Sequence, residues 1–236
     1  MPTPEARARR ESLARVPAFS ALDQRDLSQL AEATHTTKLQ PREELFHKGD
    51  EGTRLYVIVS GRCRVVTTSM DGSDAQFTIM NPGEVIGEVT LFGGGERSAT
   101  VTAVDECELL SLDRRDFLPL LRANPDVAIQ LLEVLAQRLR RVSQQMEDTL
   151  FLGLPARLAK KLLSLAEQYG RPAEDGVRID MRLSQSELGT MVGTSRESVN
   201  KQMRAWEEAG LVRSTRGSIT LLKPGQLEAF ADGDAG

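Results

Sequence analysis

The C-terminal fold is decided by one stretch, Ser184-Gln-Ser-Glu-Leu-Gly-Thr-Met-Val-Gly-Thr-Ser-Arg-Glu-Ser-Val199. Ser184 and Thr194 each stand three residues before a glutamate. This is the spacing of a capping box, in which a hydroxyl and a carboxylate satisfy exposed amides at a helix start. The expected apolar faces are Leu188 and Val192 on one helix and Val199, Met203 and Trp206 on the next. With a tight turn at Gly193 between them, the two helices are predicted to form a helix-turn-helix.

The segments around this motif complete a small module. A helix is predicted over 156–169, followed by a polar loop over 170–176. After the second helix of the motif, residues 211–222 alternate in polarity about Arg216-Gly217, which predicts a β-hairpin. The pattern therefore indicates a winged helix-turn-helix.

The N-terminal half alternates short apolar runs with glycine-containing turns. The runs are 55–59, 63–67, 77–80, 85–86, 99–104 and 109–112. Turn signals such as Asp71-Gly72 and Asn81-Pro82-Gly83 recur about every 10 residues, which favours antiparallel strands over βαβ units. We predict a small β-roll, preceded by a helix over 24–34 with Asp23 as its N-cap.

From Pro125 the periodicity becomes helical. Apolar residues recur at alternating spacings of four and three, namely Ala128, Leu132, Leu135, Leu139, Val142, Met146 and Thr149. This is the a/d seam of a coiled coil and predicts a dimerisation helix, with a helix that only covers the β-roll as the alternative. Gly153 and Pro155 then break the pattern and predict a hinge.

The chain is therefore predicted to be α+β. Its parts are a β-roll domain with flanking helices at 1–124, a central dimerisation helix at 125–150, a hinge at 151–155, a winged helix-turn-helix at 156–224 and an acidic tail at 225–236. The tail is expected to be frayed from Glu228 onward.

Composition limits the class of protein. The 236 residues are 40% hydrophobic and 27% charged, an ordinary globular mixture. The longest apolar run, 55–59, is far shorter than the roughly 18 residues of a membrane span, and charges interrupt the N-terminus, so neither a membrane nor export is expected. Cys63 and Cys107 lack metal-ligand spacing, which predicts buried thiols, no metal and a reducing cytoplasm.

The net charge of −4 conceals an asymmetry along the chain. Residues 155–223 hold 12 Lys and Arg against 8 Asp and Glu, whereas residues 1–154 hold 18 against 23. A modestly basic segment inside an acidic chain is typical of a DNA-binding domain, and it coincides with the predicted helix-turn-helix.

Two stretches of the predicted β-roll suit a phosphorylated sugar, Gly83-Glu-Val-Ile-Gly-Glu88 and Arg97-Ser-Ala-Thr-Val101. Arg97 offers a planar donor fork to phosphate oxygens, Ser98 a hydroxyl, and Glu88 an acceptor for a ribose hydroxyl. The alternative is an ordinary surface pair of Glu88 and Arg97 beside a glycine-rich hairpin.

These stretches, the segment Val192-Gly-Thr-Ser-Arg-Glu-Ser-Val199 and the order of the elements resemble the cyclic-AMP receptor branch of the CRP/FNR superfamily over nearly the whole chain. The resemblance implies a homodimeric transcription regulator that binds a cyclic nucleotide and double-stranded DNA and contacts RNA polymerase. The ligand-binding residues it implies are Gly87, Glu88, Val89, Arg97, Ser98, Arg138, Val142 and Ser143. The effector implied is cAMP. cGMP stays as the alternative, because the family presents a threonine and a serine to the purine at the positions of Val142 and Ser143, and the threonine is replaced here.

The resemblance places the base-reading residues on the second helix, at Arg196, Glu197 and Lys201. Arginine pairs with guanine O6 and N7, and glutamate accepts from cytosine N4. Phosphate contacts are expected from Ser195, Ser198 and Asn200. A symmetric dimer implies a pseudo-palindromic operator with half-sites about one helical turn apart.

Two other functions stay open from the residues alone. The first is a constitutive DNA-binding regulator whose β-roll is only a dimerisation platform. The second is an enzyme that processes a nucleotide with Glu88 as base. The sequence offers no metal cluster or nucleophile-base pair near Glu88, so the chain is not expected to be an enzyme.

Overall fold

The computed structural model describes residues 3–68, 74–215 and 217–232. The chain divides into two compact units, Met1–Arg140 and Arg141–Gly236. The turn expected at Asp71-Gly72 and Arg216 in the expected hairpin tip lie outside the described residues. In the described ranges no helix has both the length and the apolar character that crossing a bilayer requires.

The first unit is a β-roll with helices before and after it. Its helices and strands are α1 (Pro4–Ala14), α2 (Gln24–Ala33), β1 (His35–Leu39), β2 (Glu44–Phe46), β3 (Arg54–Ser60), β4 (Cys63–Thr68), β5 (Asp74–Met80), β6 (Val85–Ile86), α3 (Glu88–Gly93), β7 (Thr100–Ala103), β8 (Cys107–Asp113), α4 (Arg114–Ala123) and the start of α5 (Pro125–Phe151). The predicted β-roll is therefore present.

Two antiparallel sheets build the roll, in the orders β1-β8-β3-β6 and β2-β7-β4-β5. Successive residues of β8 alternate between two apolar clusters, because strand side chains point to opposite faces. Leu109 joins Ile58 and Val101 in one cluster, whereas Leu110 joins Phe19 and apolar residues of α1, α2, α4 and α5 in the other. β8 is thus buried on both faces, which explains why the consecutive residues Leu109 and Leu110 are both apolar.

Most sequence-based elements of this unit are confirmed. The helix expected over 24–34 is α2, and the Asp23 carboxylate caps it by accepting from the Asp26 N–H at 2.8 Å. The sequence pattern did not predict α1, β1, β2, α3 or α4. β1 has a single buried residue, Leu39, so it carries no alternating signal.

The central helix α5 spans 27 residues, but only Val127 and Leu131 are buried. On the expected seam, Leu132, Leu139 and Met146 are 63%, 67% and 64% exposed in the single chain. The chain therefore leaves these three seam positions uncovered, whereas Ala128, at the start of the seam, packs against the core of the first unit.

The second unit takes in the end of α5 and the elements after it. These are α6 (Leu154–Tyr169), β9 (Gly170–Ala173), β10 (Gly176–Ile179), α7 (Gln185–Val192), α8 (Arg196–Glu208), β11 (Val212–Thr215), β12 (Ser218–Leu221) and α9 (Pro224–Ala231). α5 ends at Phe151 and α6 begins at Leu154, so the helical structure is interrupted where the hinge is expected. The strands form one sheet in the order β11-β12-β10-β9, and β11 and β12 are the predicted hairpin.

Two expectations for this unit are wrong. The polar loop over 170–176 is largely the hairpin of β9 and β10, which forms because Val177 of β10 pairs with the distant Leu221 of β12. The tail is not frayed from Glu228 as far as Ala231, because α9 is anchored by Leu227, which is fully buried.

Candidate functional sites

The turn between β6 and α3 requires a glycine at position 87. Gly87 has a φ of 86°, a left-handed conformation that side chains with a Cβ rarely adopt. A Cβ there would also lie 2.5 Å from Nη1 of Arg97 and 3.0 Å from the Arg54 carbonyl oxygen. The glycine therefore lets the backbone approach the guanidinium closely.

Arg97 is buried, with 4% of its surface exposed. Its Nη1 donates to the Gly87 carbonyl at 3.1 Å and to the Thr90 hydroxyl at 2.8 Å, and its Nη2 donates to the Arg54 carbonyl at 2.7 Å. Its Nε has no partner among the described residues. The three acceptors of this buried cation are two carbonyl oxygens and one hydroxyl, and all three are neutral.

Aromatic rings form one wall of the Arg97 environment. The guanidinium carbon lies 4.2 Å from the centre of the Phe46 ring and 5.8 Å from that of Tyr56. Burial lowers the pKa of Arg97, and Tyr56, Asp50 and Glu88 act in the opposite direction. The guanidinium remains charged, because arginine keeps its proton in proteins.

Glu88, the first residue of α3, is also buried, with 6% exposed. Nη1 of Arg138, on α5, donates to its Oε1, and Nη2 of the same arginine donates to the Val85 carbonyl at 2.6 Å. The structure therefore brings Gly87, Glu88, Arg97 and Arg138 together in the first unit.

The other expected ligand residues lie at the surface. Val89 is 56% exposed and Ser98 is exposed beside Arg97. Val142 and Ser143, in the part of α5 assigned to the second unit, are also exposed, Val142 to 56%.

Sequence reasoning missed Thr90, Phe46, Tyr56 and the Arg54 carbonyl. Thr90 lies between the two stretches that contain Glu88 and Arg97, two residues after Glu88, so its hydroxyl could have been found from the sequence. Phe46 and Tyr56 come from β2 and β3, and no local pattern relates them to Arg97.

The start of α8 differs from the capping box expected at Thr194 and Glu197. The N-cap is Ser195, whose hydroxyl accepts from the Ser198 N–H at 3.2 Å. The helix starts one residue late because the Thr194 N–H still closes the preceding turn on the Gly189 carbonyl at 2.9 Å. The box at Ser184 and Glu187 is confirmed, with both hydrogen bonds formed.

The expected DNA-reading residues share the outer part of α8. Val199, Met203 and Trp206 are buried and hold the helix, whereas Arg196, Glu197 and Lys201 are exposed. Ser195 is exposed, and Ser198 and Asn200 are half-buried. Hydrogen bonds from its own backbone N–H and from the Ser195 hydroxyl lower the pKa of Glu197, so its carboxylate is charged at neutral pH.

Comparison with known proteins places this geometry in context. A family model of the cyclic nucleotide-binding domain matches residues 36–124, and one of the Crp-like helix-turn-helix domain matches 156–230. The CRP-like cAMP-activated global transcriptional regulator of Mycobacterium tuberculosis is 32% identical over 89% of this chain and 94% of that protein. The cyclic AMP receptor protein of Thermus thermophilus is 36% identical over 83% of this chain and 88% of its own length.

A solved structure agrees with these sequence relatives. The Thermus thermophilus catabolite activator protein, at 33% identity, superimposes with a TM-score of 0.52 over 93% of this chain and 100% of its own. A β-roll that matches the cyclic nucleotide-binding domain, a long helix and a winged helix-turn-helix define a cyclic-nucleotide-responsive, DNA-binding transcription regulator. The chain belongs to the CRP/FNR family, which confirms the resemblance inferred from sequence.

Proposed function

We propose that cAMP is the effector of this regulator and that its phosphate binds at Arg97 and Ser98. The supporting observation is the buried Arg97 cation with only neutral acceptors. Desolvation disfavours such a cation, so an anion that shares its donors would stabilise it. The cAMP-activated relatives support cAMP, and cGMP is the alternative because it carries the same cyclic phosphate.

The rest of the nucleotide is assigned to neighbouring residues. Glu88 would accept from a ribose hydroxyl beside Gly87 and Val89, while Arg138 orients its carboxylate. The purine would lie against Val142 and Ser143 of α5. Since Glu88 already accepts from Arg138, we propose no catalytic role for it.

The exposed seam on α5 supports a homodimer that pairs two copies of this helix. Ligand would shift a pre-existing equilibrium towards the state in which both α8 helices fit successive major grooves of a pseudo-palindromic operator. Arg196, Glu197 and Lys201 would read bases. The outcome is transcription control in the cytoplasm, with RNA polymerase as a further partner.

Calorimetric titration of the nucleotide-stripped protein with cAMP and then cGMP tests the effector. We expect cAMP to bind, and operator binding in a mobility-shift assay to depend on it. Arg97→Ala should weaken cAMP binding by at least about 100-fold, since each hydrogen bond to a charged group contributes about 1.5–3 kcal/mol. Arg115→Ala is the matched control, because Arg115 is 81% exposed.

Other results would overturn this assignment. Unchanged cAMP affinity in Arg97→Ala would refute the phosphate role. Operator binding of the same strength with and without nucleotide would indicate the constitutive regulator, with the β-roll acting only in dimerisation.

A further inference from the structure

Thr90 lies in α3, 3% exposed, and its hydroxyl takes part in two hydrogen bonds. It donates to the Gly87 carbonyl at 3.2 Å and accepts from Nη1 of Arg97 at 2.8 Å. We propose that Thr90 is a positioning residue for the nucleotide phosphate, because it fixes the direction in which the Arg97 guanidinium points. This proposal rests on the proposed function.

The chemistry of a hydroxyl suits this role. It has one proton and two lone pairs, so once it donates to Gly87 it can only accept from Arg97. A neutral hydroxyl fixes Nη1 without neutralising the guanidinium, whereas a carboxylate there would compete with phosphate for the same charge. Because the Gly87 carbonyl also accepts from Nη1 at 3.1 Å, the three groups form a closed triangle.

Gly52 restricts Thr90 from the other side. A Cβ at Gly52 would lie 2.2 Å from the Thr90 Oγ1 and 2.5 Å from its Cβ, so the backbone of the loop before β3 packs directly against this side chain. Close packing leaves the hydroxyl few other rotamers. Thr90 therefore fixes the Arg97 guanidinium, and the packing of Gly52 fixes Thr90.

The test compares Thr90→Val, which keeps the shape and removes the hydroxyl, with Thr90→Ser, which keeps the hydroxyl. Thr34→Val is the matched control, because Thr34 is buried and donates to the Ala31 carbonyl at 3.0 Å, remote in sequence from Glu88 and Arg97. The measurements are the Kd for cAMP and the ratio of affinities for its two phosphorothioate diastereomers, in which sulfur replaces one or the other exocyclic oxygen.

We expect Thr90→Val to weaken cAMP binding by about tenfold, as loss of one hydrogen bond to a charged group predicts, and to bring the diastereomer ratio closer to one. Thr90→Ser should restore both quantities, and Thr34→Val should change neither. Gly52→Ala displaces the hydroxyl without altering Thr90, so it should reproduce the Thr90→Val result if that variant does not fold.

Three results would overturn the proposal. Wild-type affinity and diastereomer ratio in Thr90→Val would remove the role of the hydroxyl. Equal losses in Thr90→Ser and Thr90→Val would assign the effect to the methyl group. If the wild-type protein binds no cAMP, the proposed function fails and this role fails with it, whereas wild-type binding with an unaffected Thr90→Val leaves the proposed function intact.

Discussion

Arg138 and Glu88 form an ion pair that joins the long helix α5 to the first residue of α3. Their side chains are 23% and 7% exposed, and Arg138 adds a hydrogen bond to the Val85 carbonyl. The ion pair therefore links Glu88 directly to α5. Because we propose that α5 forms the dimer seam, this contact connects Glu88 to the proposed dimerisation helix.

Removing one partner should expose the energetic importance of this pair. Arg138→Gln leaves the buried Glu88 carboxylate without its cation, so we expect the free energy of unfolding to fall by about 2–3 kcal/mol. Urea denaturation measures the change. Arg7→Gln is the control, since Arg7 and Glu11 form an exposed pair for which less than about 1 kcal/mol is expected. Equal effects in the two variants would contradict the prediction.

The two cysteines should make stability fall at alkaline pH. Cys63 and Cys107 are buried, with their Sγ atoms 3.9 Å apart, and burial raises the pKa of both thiols. In the unfolded chain a thiol has a pKa of about 8.5. The unfolded state therefore loses a proton that the folded state keeps, and stability decreases as pH rises through that value.

We expect this loss to reach about 1 kcal/mol for Cys63 at about pH 9.5. Urea midpoints are measured at about pH 7.5 and about pH 9.5, on either side of the thiol pKa. The difference between the two midpoints should be smaller in Cys63→Ala than in the wild type. The native thiols should also resist a thiol reagent until the protein unfolds. Rapid labelling of the native protein would contradict the burial of these groups.

The elements that sequence reasoning predicted correctly are those whose signal is local. α7 is an example, because the Ser184 capping box and the buried Leu188 and Val192 all lie within one short segment. Glu88 and Arg97 were identified because they stand in recognisable motifs. For these residues, chemistry and spacing along the chain are sufficient.

The elements that were missed depend on distant partners or on near-equivalent neighbours. β10 exists because it pairs with β12, which follows the whole helix-turn-helix. Phe46 reaches Arg97 from another strand of the roll. Thr194 and Ser195 both carry a hydroxyl at the helix start, so the sequence offers two candidate N-caps. Ser195 is the cap because the Thr194 N–H is bonded to the Gly189 carbonyl.

The seam on α5 should determine the oligomeric state. Leu139→Glu places a charge at an apolar seam position that is 67% exposed in the single chain. Burying that carboxylate against a second helix is unfavourable, so we expect the protein to become monomeric and to lose operator binding. Sedimentation equilibrium measures the mass. Gln137→Glu adds the same charge off the seam and should leave the assembly unchanged; a monomeric wild type would refute the dimer.

Base reading by α8 should be separable from general attraction to DNA. Arg196 is exposed near the start of the helix, where it can donate two hydrogen bonds to guanine. Arg196→Ala is expected to reduce operator affinity by about 1–3 kcal/mol and to flatten the preference at one base pair of each half-site. Binding to a library of operator variants, at one fixed salt concentration, measures both effects.

Arg204→Ala is the matched control for this prediction, because it removes the same charge from an exposed position two turns further along α8. If Arg204 only adds to the positive field, its loss should weaken binding to every sequence alike and reduce the salt dependence, with base preference intact. A uniform loss in Arg196→Ala as well would show that Arg196 contacts phosphate. Specificity would then have to come from Glu197 and Lys201 on the same exposed face.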